Sequence, residues 1–419
     1  MKLTRAIKVK CVVSKRNMIV LREILSMYKS MLKYTLNYAL ENNIKSFTKI
    51  KAKMYRKLRS LYPELPSHYA YTVCQDVSTR VKSFLKLKRK GLTYTDKPEI
   101  KRVTLWLDDH LWKLNGYTEV KIATHKGWII LAIRPHKLYW KYMNRPEWKL
   151  CNEAKLKINS NGVELLLTFR KEKYKPYEPK AVIPVDINEN NITFEVDNEV
   201  YMVKTNFKKI IVGYHDHRKR IQEKYQQKLP KLFRKLVRVL REKKRKKNIR
   251  YQVVNLIVKT AKEIKAVVVL ENLPKKTPNN MISRIKNKML KHRVYQAGFR
   301  GLLNTIIDKC MEYDVPYALV NPRKTSSTCP ICNSTLMRGI APRHMVYPKC
   351  GYQAGRDIIA VFNLEKRYLQ MTAPMPLGGI PYEVGVKLMN PTQRVKPLPT
   401  IHSDIKTTQN EWIEVNGYI

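Results

Sequence analysis

Three short apolar segments in the C-terminal half of the chain constrain its fold most, because each carries an acidic residue at one end. The run AVIPVD ends at Asp186, and the run AVVVL is followed at once by Glu271. Asp357 stands directly before IIAVFNLEKRYL, whose apolar residues recur at helical spacing. An acid beside a buried strand is unfavourable unless the strand end opens onto a crevice. The three acids are therefore candidate site residues.

The order of the predicted elements around these acids is typical of an RNase H-like fold. The segments ITFEV and EVYMV, joined at Asp197-Asn198, predict a hairpin after the first strand, and helices, two further strands and a closing helix follow. In that fold, acids at strand ends and on the last helix converge on two divalent ions. Such ions activate a water and stabilise the leaving oxygen of a phosphodiester, and Mg²⁺ prefers carboxylate ligands. The alternative is that each acid is a turn residue or a helix cap.

The N-terminal half predicts a β-rich unit that is interrupted by helices. Residues 17–91 carry apolar residues at three-to-four spacing, as in LREILSMYKSMLKYTL, and predict a helical domain. Residues 1–13 and 100–172 contain short β-rich runs such as VTLWL and VELLLTF. From residue 371 onward the chain is rich in proline without apolar periodicity, so we expect a loosely ordered tail. The whole chain predicts a multidomain α+β protein.

The net charge of the chain calls for a polyanionic partner. The sequence has 83 Lys and Arg against 33 Asp and Glu, a formal charge of +50. So many positive charges repel one another unless a partner neutralises them, and nucleic acid does so through phosphate contacts. The candidate contacts lie in two basic segments and are Lys49, Lys51, Lys53, Arg56, Arg59, Arg234, Arg238, Arg241, Lys243, Lys244 and Arg245. The alternative for these segments is a solvated helix face.

Seven cysteines are present, and only the last three cluster in the sequence. Cys329 and Cys332 form a CxxC knuckle, and Cys350 follows at a spacing close to that of a zinc ribbon. A ribbon needs a second CxxC, but Tyr347 stands where its first thiol belongs. His344 is then the candidate fourth zinc ligand, because Cys₃His sites are common. The alternative is that packing, and not zinc, holds this loop.

The cysteine usage and the hydropathy pattern predict a cytoplasmic location. An odd number of cysteines, most of them scattered, is typical of a reducing compartment and not of a disulfide framework. No apolar run reaches the roughly 18 residues of a membrane-spanning helix. The segment MKLTRAIKVKCVV has no long apolar core, so we expect no secretory signal.

Four sequence motifs resemble those of the TnpB (OrfB) proteins of insertion-sequence transposons, which are relatives of the type V CRISPR effectors. They are VDINENNIT around Asp186, VVVLENL around Glu271, VNPRKTSSTCPIC, and YPKCGYQAGRDIIAVFNL around Asp357. The resemblance implies RNA-guided, Mg²⁺-dependent cleavage of double-stranded DNA beside a short transposon-associated motif. The guide RNA would come from the transposon end. The three acids match the catalytic acids of the family, and they would also hold the Mg²⁺ ions.

The resemblance also implies a domain layout. It comprises a barrel-like wedge domain (1–16 and 92–178), a helical recognition domain (17–91), a RuvC-like nuclease domain (179–322 and 357–370), a zinc-ribbon-like insert that binds target nucleic acid (323–356) and a tail (371–419). The RuvC-like domain is the RNase H-like α/β unit predicted above.

The chain departs from the family pattern near its end. Tyr347 replaces a cysteine, Gly355 stands where an acid is common, and Ile358-Ile359 replaces a Val-Asn type pair. A second hypothesis is therefore a catalytically impaired or repurposed protein that binds RNA and DNA as a regulator. A structural RNA-binding protein would explain the charge but neither the three acids nor the cysteines. A transposase in the strict sense would need an end-binding domain that the sequence does not reveal.

Overall fold

The computed structural model describes residues 3–160, 162–274, 277–283, 285–335, 337–338, 343–372 and 396–397. The chain divides into two units, Met1–Tyr174 and Lys175–Ile419. Each unit contains both helices and a β-sheet, so the fold is mixed α and β. No helix in the described part of the chain combines the length and the apolar character needed to cross a membrane.

The first unit is built on one antiparallel sheet. Its strands are β1 (Leu3–Val12), β2 (Leu105–Leu107), β3 (Trp112–Asn115), β4 (Glu119–Thr124), β5 (Gly127–Arg134), β6 (Lys149–Asn159) and β7 (Gly162–Lys171). Its helices are α1 (Lys15–Glu41), α2 (Phe47–Leu61), α3 (His68–Arg89) and α4 (Lys137–Met143). The strand order is β2-β6-β7-β1-β5-β4-β3. Strand β1 precedes the long helices and pairs with β5 and β7, which follow them, so α1, α2 and α3 are inserted between strands of one sheet.

Two details of the first unit go beyond the sequence prediction. Helix α4 lies between β5 and β6, where the sequence predicts only strands. The described strands form an open sheet with β2 and β3 at its two edges, whereas the family layout suggests a barrel-like domain. The predicted apolar stripe of α1 is buried as expected, with Leu21, Ile24 and Tyr28 fully enclosed.

The second unit contains a six-stranded sheet and a small three-stranded sheet. The strands are β8 (Ala181–Ile187), β9 (Asn191–Val196), β10 (Glu199–Lys204), β11 (Ala266–Glu271), β12 (Tyr317–Val320), β13 (Met337–Arg338), β14 (His344–Val346), β15 (Gln353–Gly355) and β16 (Lys396–Pro397). The helices are α5 (Phe207–Tyr225), α6 (Pro230–Val239), α7 (Glu242–Glu263), α8 (Thr277–Ser283), α9 (Lys288–Ala297), α10 (Phe299–Tyr313) and α11 (Arg356–Thr372).

The larger sheet has the order β12-β11-β8-β9-β10-β16, and the smaller has the order β13-β14-β15. Strands β8, β11 and β12 run parallel, and β9 runs antiparallel to its two neighbours. The β9–β10 hairpin turns at Asp197 and Asn198, whose φ angles of 48° and 65° lie in the left-handed region that these residue types tolerate. The predicted strands, their order along the chain and this hairpin are confirmed.

The basic segment 231–250 is helical but is divided between two helices. Helix α6 ends at Val239 and α7 begins at Glu242. Between them, Arg241 has a φ of 55°, a left-handed conformation that cannot continue an α-helix.

The predicted tail begins two residues too early, because α11 extends to Thr372. Lys396 and Pro397 pair with β10, and the rest of the predicted tail lies outside the described residues.

Alternation along β8 and β11 decides which side of the larger sheet each side chain faces. Val185 and Leu270 pack with α7 and α10 on one side. Val269 lies on the other side and packs with Leu364 of α11. Since successive side chains in a strand point to opposite faces, Asp186 and Glu271 face the side that α11 covers.

Candidate functional site

The three candidate acids line one cavity of the second unit. Asp186 comes from the end of β8, Glu271 from the end of β11 and Asp357 from the first turn of α11. The cavity has a volume of about 190 Å³, and its wall also includes Arg356 and Ser326. Parallel strands place their carboxyl ends at the same edge of a sheet, which explains why β8 and β11 deliver their acids to one place.

Asp186 is almost fully buried, with 8% of its surface exposed. The Asn188 side-chain amide donates a hydrogen bond to Oδ2 of Asp186 at 2.6 Å. Burial, followed by the negative charges of Glu271 and Asp357, raises the pKa of Asp186 to about 7, although the Asn188 hydrogen bond opposes this. The cavity therefore holds more negative charge than its surroundings offset.

Glu271 accepts a hydrogen bond from the Thr325 hydroxyl at its Oε1, with a distance of 2.6 Å. Thr325 is itself held in place, because the Asn363 side chain of α11 donates to its carbonyl oxygen at 2.8 Å. Burial raises the pKa of Glu271, while Thr325 and the positive charges of Arg367 and Arg356 act in the opposite direction. The segment before the first cysteine thus orients one of the three acids.

Asp357 has partners on both carboxylate oxygens. The Asn191 side-chain amide donates to Oδ2 at 2.9 Å. The Arg343 guanidinium forms an ion pair with Oδ1 and also reaches Oδ1 of Asn188, at 3.4 Å. Any other cation that binds Asp357 through Oδ1 competes with Arg343.

Four of these partners are not among the candidate residues that the sequence patterns indicate. Asn188 and Asn191 lie within the VDINENNIT motif, and Thr325 lies within VNPRKTSSTCPIC, so the motifs themselves were the available signal. Arg343 has no such signal, because its contact with Asp357 depends on how the intervening strands fold.

The three carboxylates share a cavity but do not form one tight ligand cluster. They are not among the described groups whose ligand atoms all lie within 4.8 Å of one another. A site for two ions about 3.5–4 Å apart does not require such a cluster, because its ligands surround both ions.

The three predicted zinc thiols come together in the structure. The sulfur atoms of Cys329, Cys332 and Cys350 lie within 4.8 Å of one another, and Cys350 Sγ is 3.5 Å from Cys329 Sγ and 3.3 Å from Cys332 Sγ. His344 is not brought to them: it lies on β14, and its Nε2 is 3.2 Å from Oε1 of Gln353 on β15. The structure therefore supplies three of the four predicted zinc ligands.

Tyr347 takes part in a small hydrophobic core beside the thiols. It is fully buried, it packs with Met345 and Ile359, and its ring stacks on that of Tyr352. Its hydroxyl donates a hydrogen bond to the carbonyl oxygen of Thr328 at 3.2 Å. Because the Tyr347 hydroxyl donates this hydrogen bond, its oxygen is not presented as a metal ligand.

The thiols themselves lie in contrasting surroundings. Hydrogen bonds from Ser334 lower the pKa of Cys332 to about 6, whereas burial raises the pKa of Cys329 to about 11. Cys332 therefore ionises more easily than Cys329, and the thiolate is the form that binds metal.

Most of the predicted nucleic-acid contacts of the first unit lie on the open face of α2. Lys49, Lys53 and Arg56 are exposed, while Ile50, Met54 and Leu58 form the buried side of the helix. The other two candidates contact residues of the protein itself. Lys51 lies over the Tyr71 ring at 4.8 Å, and Arg59 donates a hydrogen bond to the carbonyl oxygen of Leu65.

Three of the six candidates of the second unit line a basic groove. Arg234, Arg238 and Lys243 are exposed. Arg241, Lys244 and Arg245 line a groove of about 760 Å³ together with Lys247, Asn248 and two tyrosines, Tyr214 and Tyr251. No carboxylate lines this groove among the residues that the structure describes, and contact with nucleic acid remains a prediction.

Comparison with known proteins identifies the family. Residues 299–364 match the model of the Cas12f1-like TNB domain, and residues 24–123 match that of the Uncharacterized protein MJ0013 family. Uncharacterized protein MJ0857 of Methanocaldococcus jannaschii is 32% identical over 244 residues, which cover 54% of this chain and 89% of that protein. TnpB-like protein MJ0751 of the same organism is 26% identical over 53% of this chain and 81% of its own length. The chain belongs to the TnpB family.

The TnpB family is related to the type V CRISPR effectors, and a solved structure shows the corresponding likeness in fold. The mini-RNA-guided endonuclease CRISPR-Cas_phi3 matches this TnpB family member with a TM-score of 0.53 and 11% sequence identity. The match covers 90% of this chain and 93% of that protein. At this level of identity the likeness is one of fold.

Proposed function

We propose that this TnpB family member is an RNA-guided, Mg²⁺-dependent DNA endonuclease of an insertion-sequence transposon. It would cleave double-stranded DNA beside a short transposon-associated motif, with a guide RNA from the transposon end. One observation carries the proposal: Asp186, Glu271 and Asp357, which come from three separate elements, line the same cavity. Membership of the TnpB family supports it.

The topology of the second unit supports a RuvC-like assignment. Three parallel strands, β8, β11 and β12, with β9 antiparallel beside β8 and α11 over the acid-bearing face, agree with the order expected of an RNase H-like nuclease. We accordingly assign 179–322 and 357–370 to the nuclease domain and 323–356 to the ribbon-like insert. The β-rich part of the first unit is assigned to the wedge domain and its helices to the recognition domain.

The residues of the cavity fit divalent metal ions. Three carboxylates supply the hard oxygen ligands that Mg²⁺ requires, and the raised pKa values of Asp186 and Glu271 show that their charges are poorly offset. Mg²⁺ held there would supply an activated water and would stabilise the leaving oxygen of a phosphodiester.

The surrounding side chains hold the three acids in place. Asn188 orients Asp186 and Thr325 orients Glu271, each through one hydrogen bond. Arg356 donates to the Ser326 hydroxyl at 3.1 Å and adds a positive charge to the cavity wall. A cation at this position suits a phosphate group of the substrate.

We further propose that the cysteine insert binds zinc through Cys329, Cys332 and Cys350. Structural zinc sites usually have four protein ligands, and Tyr347 replaces one of them here, so the binding is weaker than in a complete ribbon. The hydrophobic packing of Tyr347 supplies part of the stability that the fourth thiolate would give.

RNA and DNA are the proposed partners of the basic surfaces. The formal charge of +50 and the basic groove of the second unit support a large nucleic-acid contact area. In RNA-guided effectors the guide reads the target by base pairing, while the protein reads duplex shape and a short motif.

Guide-programmed cleavage of DNA in Mg²⁺ tests the proposal, with Asp186→Ala, Glu271→Ala and Asp357→Ala compared with the wild type. Glu263→Ala, which removes an exposed carboxylate at the end of α7, is the matched control. We expect each cavity variant to lose cleavage by orders of magnitude and to keep guide and target binding, because binding depends on basic residues elsewhere. A cavity variant that cuts at the wild-type rate removes that residue from the site.

A second candidate function is a regulator that binds RNA and DNA without cutting. The observation that favours it is the burial of Tyr347 where the family has a fourth thiolate, because an incomplete ribbon weakens target binding. Wild-type protein that binds a guided target but never cuts it would establish this alternative.

A further inference from the structure

The first unit contains a second cluster of metal-ligand side chains, which the proposed nuclease function does not use. His68 is the first residue of α3, and Asp108 and His110 lie in the turn between β2 and β3. One ligand atom of each residue lies within 4.8 Å of the other two. Because α3 contacts β2 within this unit, side chains that are 40 positions apart meet.

The contacts within the cluster are close and specific. His68 Nδ1 lies 2.6 Å from Oδ2 of Asp108, and the His110 backbone N–H donates to Oδ1 of the same carboxylate at 3.2 Å. The two imidazole rings are stacked, with centroids 3.8 Å apart and planes inclined by 16°. His110 Nδ1 lies 3.1 Å from Asp109 Oδ1, and no described residue forms a hydrogen bond with Nε2 of either histidine.

We propose that His68, Asp108 and His110 form a binding site for a divalent first-row transition-metal ion such as Zn²⁺ or Co²⁺. Two imidazole nitrogens and one carboxylate oxygen suit those ions, whereas Mg²⁺ and Ca²⁺ take oxygen ligands. The His110 side chain is 63% exposed, so water completes the coordination shell.

Small side-chain movements are enough to admit the ion. Tetrahedral coordination with bonds of about 2.0–2.2 Å places neighbouring ligand atoms about 3.4 Å apart. The 2.6 Å separation of His68 and Asp108 therefore widens by less than about 1 Å as the ion takes the place of the hydrogen bond between them, with the imidazole proton of His68 then held on Nε2. His110 lies on an exposed turn and gives up its stacking to bind.

The ion would join the first turn of α3 to the β2–β3 turn and so fix the helical insertion on the sheet. An ion that binds only the folded unit stabilises it by mass action. Its donor set also differs from those of the other two candidate sites, which consist of oxygen atoms alone and of sulfur atoms. The oxygen site can also bind Co²⁺, so the new site is measured in the full chain as the Co²⁺ equivalent that depends on His110.

A Co²⁺ titration of the full chain, first stripped with a chelator, tests this site. The wild type is compared with His110→Ala and with the control His217→Ala, and both histidines are exposed, so neither change removes core packing. Co²⁺ bound by nitrogen and oxygen absorbs visible light without a near-ultraviolet thiolate-to-metal band. The spectrum therefore separates this site from the cysteine cluster.

We expect the wild type and His217→Ala to bind one more Co²⁺ without a thiolate band than His110→Ala does, and to melt at a higher temperature when it is bound. His110→Ala should lose that equivalent and the increase in melting temperature, while its thiolate-linked absorption stays unchanged. The site is refuted if His110→Ala binds as much non-thiolate Co²⁺ as the wild type, if His217→Ala loses the same equivalent, or if wild-type Co²⁺ gives only the thiolate-linked spectrum.

Discussion

Replacing Asp186 by Asn should stabilise the metal-free protein, and it should do so only above acidic pH. The pKa of Asp186 is raised from 3.8 to about 7, so the folded state holds a proton that the unfolded state releases. Wild-type stability therefore falls as the pH rises through this window, and the neutral Asn side chain escapes that loss. Three pKa units correspond to about 4 kcal/mol, which is the most by which the variant can gain on the wild type between pH 4 and pH 8.

Thermal melting in EDTA at pH 4 and pH 8 measures the effect, with the transition of the second unit as the readout. About 4 kcal/mol in a unit of this size corresponds to roughly 8–16 °C in melting temperature. Glu263→Gln, at an exposed site, should leave the melting temperature unchanged at both pH values. Mg²⁺ at pH 8 should then raise the melting temperature of the wild type more than that of Asp186→Asn, because the variant lacks one anionic ligand.

The reasoning is refuted if Asp186→Asn and the wild type differ by the same amount at both pH values. Destabilisation of the variant at pH 8 would also refute it. Either result would mean that neither burial nor the neighbouring negative charges destabilise the ionised form of Asp186. Asp186 would then be an ordinary turn residue.

Three further predictions concern other parts of the molecule. Arg343→Gln should lower the Mg²⁺ concentration for half-maximal cleavage about fivefold. The reason is that its partly exposed ion pair with Asp357, worth about 1 kcal/mol, no longer competes with the metal. An unchanged Mg²⁺ concentration for half-maximal cleavage, or the same change in the exposed control Lys349→Gln, contradicts this. The wild type should lose its zinc on dialysis against a chelator, whereas Tyr347→Cys should retain one zinc, because a fourth thiolate closes the tetrahedral site. Elemental analysis measures the zinc content. Wild-type protein that already retains one zinc would show that the assignment of an incomplete zinc site is mistaken. Affinity for copurifying RNA should fall by about 10³-fold or more between 50 and 200 mM salt, because many phosphate contacts release counterions; a salt titration with little change would point to a small contact area.

The elements that carry the candidate site could be predicted from the sequence because their patterns are local. The apolar runs before Asp186 and Glu271 and the periodic segment after Asp357 have the lengths and compositions of buried strands and an amphipathic helix. Once β8 and β11 are parallel neighbours, alternation alone places their acids on one side of the sheet.

The contacts that complete the site could not be predicted, because they join distant parts of the chain. Arg343 reaches Asp357 only after the intervening strands have formed, and His68 meets Asp108 only because α3 packs on β2. The left-handed conformation of Arg241 interrupts the basic helical region, and no glycine or proline stands at this point to predict the break. For Tyr347 the substitution was visible in the sequence, but its packing against Tyr352 was not.

The segment between β12 and α11 contributes to the acid cavity at both of its ends. Thr325, before the first cysteine, bonds to Glu271, and Arg343, near the other end, bonds to Asp357. A module attached in this way cannot be exchanged or trimmed as a surface loop can, because its removal would leave Glu271 without Thr325 and Asp357 without Arg343. A change in the insert that displaces Thr325 or Arg343 should therefore shift the metal dependence of cleavage, even when all three acids are intact.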